Sequence, residues 1–212
     1  LYSPPTRQSL LEEIHQRLER LPDDLELQME ELRVFKQVNV LRVAAADVTE
    51  VLALMRVSDH LSDIAEVALI EVLELAWKHL SAKHGLPVCE LPGHRSTGKG
   101  FAVIAYGKLG GLELGYDSDV DLVFLHAGAK GHTQDSDRPI ENSLFFARLG
   151  QRVIHMLTAA TPVGVLYDTD MRLRPSGSSG ILVSHVEGFR DYQLHEAWTW
   201  EHQALIRARA VG

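Results

Sequence analysis

Two aspartates separated by one residue form the sharpest chemical feature of the sequence. Asp119 and Asp121 flank Val120 at the start of an apolar run that ends at Leu125 and has the composition of a buried strand. Residues i and i+2 of a strand face the same side, about 6.6 Å apart at a rise of ~3.3 Å per residue. Two such carboxylates repel each other unless a cation lies between them, and Mg²⁺ is the oxygen-seeking ion that carboxylates share with substrate phosphates. An acidic pair that simply faces water has the same sequence, so the pair alone leaves both interpretations open.

A second charged strand is predicted further along the chain. Asp168, Asp170, Arg172 and Arg174 occupy alternate positions, so a strand through them has one wholly charged face. Such a face is either a solvated surface with weak Asp–Arg pairs or the source of a third carboxylate and of phosphate-binding guanidinium groups. Three acids on neighbouring strands are what two-metal phosphoryl transfer needs, since ions ~3.5–4 Å apart stabilise both the attacking and the leaving oxygen.

A glycine-rich turn follows another apolar run, residues 101 to 106. Gly107, Gly110 and Gly111 permit positive φ angles and close backbone approach, so that successive N–H groups can cradle a phosphate. Lys108 adds a positive charge to the same turn. An ordinary tight turn has the same glycine content and stays open as an alternative.

The composition is that of an ordinary globular protein. Of 212 residues, 45% are hydrophobic and 24% charged, and 21 basic against 29 acidic residues give a net charge of −8. This balance argues against a dedicated nucleic-acid-binding protein, which needs a basic surplus to neutralise many phosphates, although a few Lys or Arg suffice for one nucleotide. The single cysteine, Cys89, excludes an intramolecular disulfide and agrees with a reducing, cytoplasmic compartment.

No segment predicts a membrane span or a secretory signal, so we expect no membrane partner. The most apolar stretch, Ala65 to Leu80, is interrupted by charged or titratable residues, namely Glu66, Glu71, Glu74, Lys78 and His79. The chain starts at Leu1 rather than at Met and stops within a helical pattern. We therefore expect a fragment of a longer protein.

Helices are predicted to fill the first part of the chain, and Gly and Pro residues between 85 and 99 predict a connecting loop. Strands alternate with helices after that, which indicates an α/β or α+β domain. We therefore place a helical region at residues 1–90 and a second domain at residues 91–212. The predicted helices span 10–21, 25–46, 47–55, 58–84, 142–160, 187–194 and 198–210, and the predicted strands span 101–106, 120–125, 163–173 and 180–183.

Three blocks of the second part resemble the family of bifunctional glutamine synthetase adenylyltransferase/adenylyl-removing enzymes. They are residues 107–125, 170–177 and 196–209, and together they lie in roughly half of the chain. That family carries two nucleotidyltransferase domains, one that removes AMP from glutamine synthetase by phosphorolysis and one that adds AMP from ATP. Residues 114–119, 174–177 and 198–202 resemble the adenylylating, C-terminal domain, although Asp117 stands where a small residue is common.

The resemblance implies an α+β fold of the DNA polymerase β-like nucleotidyltransferase type, a short mixed sheet with helices, preceded by a helical region. It also implies catalytic and Mg²⁺-binding roles for Asp119 and Asp121, the family's paired ligands, and for Asp170, its third carboxylate. Asp168 receives no role. Gly110 and Gly111 match the phosphate-contacting turn. The expected ATP-contacting residues are Gly107, Lys108, Gly110, Gly111, Ser118, Arg172 and Arg174.

The implied activity is transfer of AMP from ATP to a tyrosine hydroxyl of glutamine synthetase, with release of pyrophosphate and lower nitrogen assimilation. The PII signalling protein and glutamine are implied as regulators of the full-length enzymes. Phosphorolytic removal of AMP uses the same fold and remains an alternative. A non-catalytic nucleotide- or partner-binding module is a further alternative, which the loss of an aspartate would favour, but all three aspartates are present.

Overall fold

Three long helices open the chain in the computed structural model, which describes residues 4–91 and 94–211. They are α1 (Arg7–Glu19), α2 (Leu25–Val48) and α3 (Leu54–His84). Polar side chains start the first two: Thr6 accepts a hydrogen bond from the backbone N–H of Ser9, and Asp24 accepts from the N–H groups of Glu26 and Leu27. The helical first part is thereby confirmed.

The expected short helix from Asp47 to Met55 is wrong. Asp47 belongs to α2, whose end is marked by Glu50 with a φ of 56°, a left-handed conformation that cannot continue a helix. Two N–H groups beyond it, those of Val51 and Leu52, return to the carbonyl oxygen of Ala46 and close the turn. Helix α3 therefore begins at Leu54, four residues earlier than predicted.

The longest helix, α3, buries two acidic residues that its neighbours bind. Glu66 pairs with Arg7 (3.6 Å) and with Arg209, and Glu71 contacts the His15 ring at 2.7 Å. Burial raises the pKa of Glu71, and His15 opposes that shift. None of the helices in residues 4–91 and 94–211 combines the length and apolarity needed to cross a bilayer.

A β-hairpin replaces much of the loop expected between residues 85 and 99. Strand β1 (Val88–Leu91) pairs antiparallel with β2 (His94–Thr97), and Cys89 lies opposite Ser96. The prediction failed because Gly and Pro mark the ends of the hairpin as readily as a long loop. Pro92 and Gly93, which belong to the same expected loop, lie outside the described residues.

A five-stranded mixed sheet forms the second part. Its strands run in the spatial order β5 (Thr169–Asp170), β4 (Val120–His126), β3 (Phe101–Ala105) and β7 (Arg209–Ala210), and β6 (Val183–His185) also pairs with β4. Strand β3 is antiparallel to β4 and β7, whereas β4 is parallel to β5 and β6. The architecture is α+β, as expected. The DNA polymerase β-like type and the boundary near residue 90 stay predictions.

Helices connect and cover these strands. They are α4 (Gly107–Gly110), α5 (Asn142–Thr158), α6 (Val186–His195) and α7 (Thr199–Leu205). Trp77 of α3 meets Phe145 of α5 edge-to-face at 5.3 Å, and Gly150 brings α5 onto the sheet, where a Cβ would lie 2.5 Å from a methyl group of Val183. One continuous apolar core therefore joins the helices to the sheet.

Two expected elements are shorter than predicted. Only Thr169–Asp170 is a strand within 163–173, because residues 171 to 174 turn back on themselves, with the N–H of Arg174 donating to the carbonyl oxygen of Met171. The helix expected to reach residue 210 ends at Leu205. Residues 209–210 pair instead with β3, whose open edge offers backbone partners that the sequence pattern does not reveal.

A buried arginine fastens α2 to the connection between α5 and β5. Arg33 is 1% exposed, and it donates hydrogen bonds to the carbonyl oxygens of Met29 (2.6 Å), Met156 (3.0 Å), Ala159 (2.6 Å) and Gly164 (2.8 Å). Carbonyl oxygens of this kind satisfy the guanidinium without a carboxylate. Helix α2 thus holds the segment that leads into β5.

We predict that Arg33→Met lowers the free energy of unfolding by about 2–4 kcal/mol, since the apolar stem is kept but buried carbonyl oxygens lose their donors. Arg20→Met, at an exposed position, is the matched control and should stay within about 0.5 kcal/mol. Urea unfolding monitored by circular dichroism measures both. Equal stabilities of the two variants would contradict the fastening role of Arg33.

Candidate active site

Three aspartates meet at one end of strands β4 and β5. Asp119 immediately precedes β4, Asp121 is the second residue of β4, and Asp170 is the residue of β5 that pairs with Asp121 in the parallel register. The N–H of Val120 donates to the carbonyl oxygen of Asp168 at 2.9 Å and completes the ladder. The aspartates singled out in two separate stretches of sequence therefore occupy adjacent strands.

The electrostatics of the three carboxylates differ. Burial is the largest cause that raises the pKa of Asp121, and the negative charges of Asp119 and Asp170 raise it further. The positive charges of Arg172 and Lys108 oppose this shift only in part. Asp170 behaves in the opposite way, because the hydrogen bond from the Arg172 side chain lowers its pKa. An additional positive charge would therefore stabilise the ionised form of Asp121 more than that of Asp170.

Arg172 holds Asp170 directly. Its Nε donates to both carboxylate oxygens of Asp170 (3.0 and 2.8 Å), its Nη2 also donates to Oδ2, and its backbone N–H donates to Oδ1 at 2.8 Å. The Arg172 side chain is 80% exposed, whereas the Asp170 side chain is 15% exposed. Because the Arg172 side chain is exposed, its movement from Asp170 to another anion would cost little in packing.

The alternating charged strand predicted from Asp168 to Arg174 is wrong beyond Asp170. Arg174 lies after the strand and binds the carbonyl oxygens of Met171 (2.7 Å), Ser178 (3.0 Å) and Gly180 (3.3 Å). These bonds hold the turn of residues 171–180. The tight turn after Asp170 removes Arg174 from the charged face that strand geometry predicted.

The glycine turn packs directly against Asp121. Gly107 has a φ of 54°, and a Cβ at this position would collide with Oδ2 of Asp121, so only glycine fits. The N–H groups of Gly110 and Gly111 donate to the carbonyl oxygens of Tyr106 (2.9 Å) and Gly107 (3.1 Å). This differs from the expected phosphate cradle of successive N–H groups, because those of Gly110 and Gly111 are used within the turn.

Gly110 has a separate structural reason to be glycine. A Cβ on Gly110 would collide with the carbonyl oxygen of Arg207, which precedes β7. The glycine therefore allows the chain near β7 to cross close behind the turn. In this way the turn, β7 and the aspartates are held in one arrangement.

Lys108 and Ser118 lie beside the carboxylates. The Lys108 ammonium group donates to the Ser118 hydroxyl at 3.4 Å, and that hydroxyl accepts from the N–H of Gly115 at 3.0 Å. Lys108 also lowers the pKa of Asp121 through its charge. Both residues, expected from the sequence to contact ATP, thus lie next to the aspartates.

Two residues of α2 near the site were missed by the sequence analysis. Lys36 donates to the carbonyl oxygen of Leu166 at 2.6 Å and lies 4.1 Å from the centre of the Tyr167 ring, just before Asp168. Asp47 accepts a hydrogen bond from the Tyr116 hydroxyl at 2.9 Å. Charged residues in a helical pattern usually mark a solvated face, so only the tertiary structure shows these roles.

The residues present fit a metal ion that arrives with a phosphate ligand. In the part of the chain that the structure describes, no group of three or more His, Cys, Asp or Glu side chains is gathered closely enough to enclose a metal. Mg²⁺, however, is usually held by one or two carboxylates together with substrate phosphates. The raised pKa of Asp121 beside Asp119 indicates a pair of oxygen ligands that a cation would stabilise.

An α+β chain with acids on adjacent strands and a glycine turn against them agrees with a phosphoryl-transfer protein. The model of the glutamate-ammonia ligase adenylyltransferase family matches residues 1–212. The chain belongs to this family.

Curated relatives agree with the family match. Proteins named bifunctional glutamine synthetase adenylyltransferase/adenylyl-removing enzyme are 54% identical in Pseudomonas putida and 55% identical in Thioalkalivibrio sulfidiphilus, each over 100% of this chain. The relative of that name in Nitrosococcus oceani is 56% identical over 96% of the chain. The chain spans 21–22% of the length of these relatives.

We predict that Asp121→Asn raises the melting temperature at pH 7 in the presence of EDTA by about 1–2 °C, a small effect because the site is partly solvated. The folded protein raises the pKa of Asp121 above its ordinary value of 3.8, so its ionised form destabilises the fold above the raised pKa. The gain should therefore shrink as the pH falls towards 4.

Asp137→Asn is the matched control, since Asp137 is exposed and lies outside the site. Thermal unfolding, monitored by circular dichroism at pH 7 and pH 4, compares the unsubstituted protein with the two variants. A lower melting temperature for Asp121→Asn than for Asp137→Asn at pH 7 would show that ionised Asp121 does not destabilise the folded protein.

Proposed function

We propose that this chain is the catalytic part of an enzyme that transfers AMP from ATP to a tyrosine hydroxyl of glutamine synthetase and releases pyrophosphate. The observation that carries the proposal is the pairing of Asp121 with Asp170 on adjacent strands, beside the Gly107 turn, in a chain that belongs to this family throughout. We assign the sheet to the DNA polymerase β-like nucleotidyltransferase type on the same grounds.

Asp119 and Asp121 are the proposed ligands of Mg²⁺, with Asp170 as a third carboxylate once Arg172 leaves it. The ion supplies Lewis-acid polarisation of phosphate oxygens and lowers the pKa of a bound hydroxyl. Asp121 would be stabilised by this charge, because burial and its acidic neighbours raise its pKa.

The triphosphate contacts are proposed for Lys108 and Arg172. Lys108 already lies beside Ser118 and Asp121, and Arg172 is exposed and held by a single carboxylate. Gly107 and Ser118 line the same part of the site, next to Lys108 and Asp121. Arg174, Gly110 and Gly111 act indirectly in this proposal, since their donors hold the turns that position the other residues.

Asp170 is the proposed acceptor of the tyrosine proton. The hydroxyl oxygen forms a bond to the α-phosphorus, the bond from that phosphorus to the bridging oxygen breaks, and pyrophosphate leaves. Arg172 lowers the pKa of Asp170 and so weakens it as a base. Transfer of Arg172 to the triphosphate when ATP is bound would remove that effect and leave a carboxylate oxygen of Asp170 free to accept the proton.

The direction of the reaction is proposed from the blocks that resemble the adenylylating domain, residues 114–119, 174–177 and 198–202. Relatives carry both activities in their printed name, so phosphorolytic removal of AMP is the second candidate. The cytoplasm, where ATP is available, is the proposed location, and the PII protein and glutamine are the proposed regulators of the complete enzyme.

The test is transfer of label from α-labelled ATP and Mg²⁺ to unmodified glutamine synthetase. We expect label on the synthetase, and we expect Asp119→Asn to reduce its rate at least about a hundredfold, or ~2.7 kcal/mol of transition-state stabilisation. Asp137→Asn, the same chemical change at an exposed site, should keep the rate.

A second assay decides the direction of the reaction. It starts from labelled, adenylylated glutamine synthetase and inorganic phosphate. Release of labelled ADP without forward transfer would replace the proposal by the phosphorolytic function. Absence of both reactions with intact ATP binding would favour a non-catalytic nucleotide-binding module.

A further inference from the structure

A cavity that shares no residue with the aspartate site lies between the end of α3 and the middle of α5. Its volume is about 620 Å³, within the usual range of small-molecule sites. Six of its nine lining side chains are basic and none is acidic. The basic ones are His79, Lys83, His84, Arg148, Arg152 and His155.

This concentration of positive charge stands out in a chain with a net charge of −8. The ion pairs found within residues 4–91 and 94–211 include neither Lys83 nor Arg148 nor Arg152. The nearby acidic residues do not pair with these three cations. Asp23 pairs instead with Lys78 at 2.8 Å, and Glu26 and Glu30 line an adjoining cavity. Three cations thus converge without carboxylate partners among the described residues.

Helical spacing brings the basic side chains onto two facing surfaces. His79 and Lys83 are four residues apart on α3, and Arg148, Arg152 and His155 follow one face of α5. A C-terminal helix dipole favours cations in the last turn, which accounts for Lys83 and for His155. It does not account for Arg148 and Arg152, whose like charges at this spacing repel each other.

One of the cations is held in place by a buried histidine. His84 is 6% exposed, and its Nδ1 contacts the carbonyl oxygen of Arg138 at 3.0 Å, so Nδ1 carries the proton. Its Nε2 then accepts from the Arg148 guanidinium at 3.2 Å. A neutral acceptor orients Arg148 without neutralising its charge.

We propose that this cavity binds a small molecule that carries at least two phosphate or carboxylate groups. Two or more anionic groups match cations presented from two helices, and the volume exceeds what a single small ion needs. The proposal is independent of the function assigned to the aspartates, because the two sites share no residue.

The experiment is isothermal titration calorimetry of the purified protein with inorganic pyrophosphate and, separately, with citrate. The protein is first stripped of metal on a chelating resin and dialysed into metal-free buffer without EDTA, so that the aspartates cannot recruit either probe through Mg²⁺ and no other polycarboxylate competes for the cavity. We expect saturable binding of at least one probe, and the pair of arms shows whether phosphate or carboxylate groups are preferred. The double substitution Arg148→Gln with Arg152→Gln should weaken that binding about tenfold or more.

The matched control is Arg20→Gln with Lys130→Gln, which removes the same charge from exposed positions elsewhere. It should change affinity by less than about twofold, since salt screens distant exposed charges. Lys83→Gln is a single-residue alternative if the double variant does not fold, as judged by circular dichroism. Absence of saturable binding by both probes, or equal losses in test and control variants, would overturn the proposal.

Discussion

The parallel pairing of β4 with β5 is the constraint on which the aspartate site depends. It sets Asp121 against Asp170, although like charges on adjacent strands repel. Strand β5 contributes only two residues, so its own ladder cannot resist this repulsion. The opposing forces come from elsewhere: Arg172 binds Asp170, and α2 fixes the preceding connection through Arg33 and Lys36. The helical part of the chain therefore acts as a support for the site.

Charge is segregated across the molecule. Carboxylates cluster at one end of β4 and β5, where burial and mutual repulsion raise the pKa of Asp121. Cations cluster between α3 and α5, where Arg148 is held by a neutral histidine. Both clusters cost electrostatic free energy in isolation, and a ligand of opposite charge lowers that cost at each. The overall charge of −8 conceals this arrangement, because it averages over both clusters.

Elements with a strong local pattern could be predicted from the sequence. The three long helices and α5 follow from the period of their apolar residues, and β3 and β4 follow from short continuous apolar runs. Three of the failures fall where backbone pairing decides: the hairpin β1–β2, the shortened β5, and β7 in place of a longer helix. Another, the short helix expected from Asp47 to Met55, fails because Glu50 adopts a left-handed conformation. A strand of two residues forms only through pairing with a neighbouring strand, so the local pattern of apolar residues cannot predict it.

For the site, the sequence by itself determined which residues have the right chemistry: two aspartates at the start of a buried strand, a third acid, and a glycine-rich turn. Tertiary structure decided which of these residues meet and which are used elsewhere. Arg174 and the N–H groups of Gly110 and Gly111 serve local turns, whereas Arg172 reaches Asp170. Composition and spacing specify donors and acceptors, but a partner distant in sequence is chosen by packing, which brings Arg33 to a carbonyl oxygen 131 residues away.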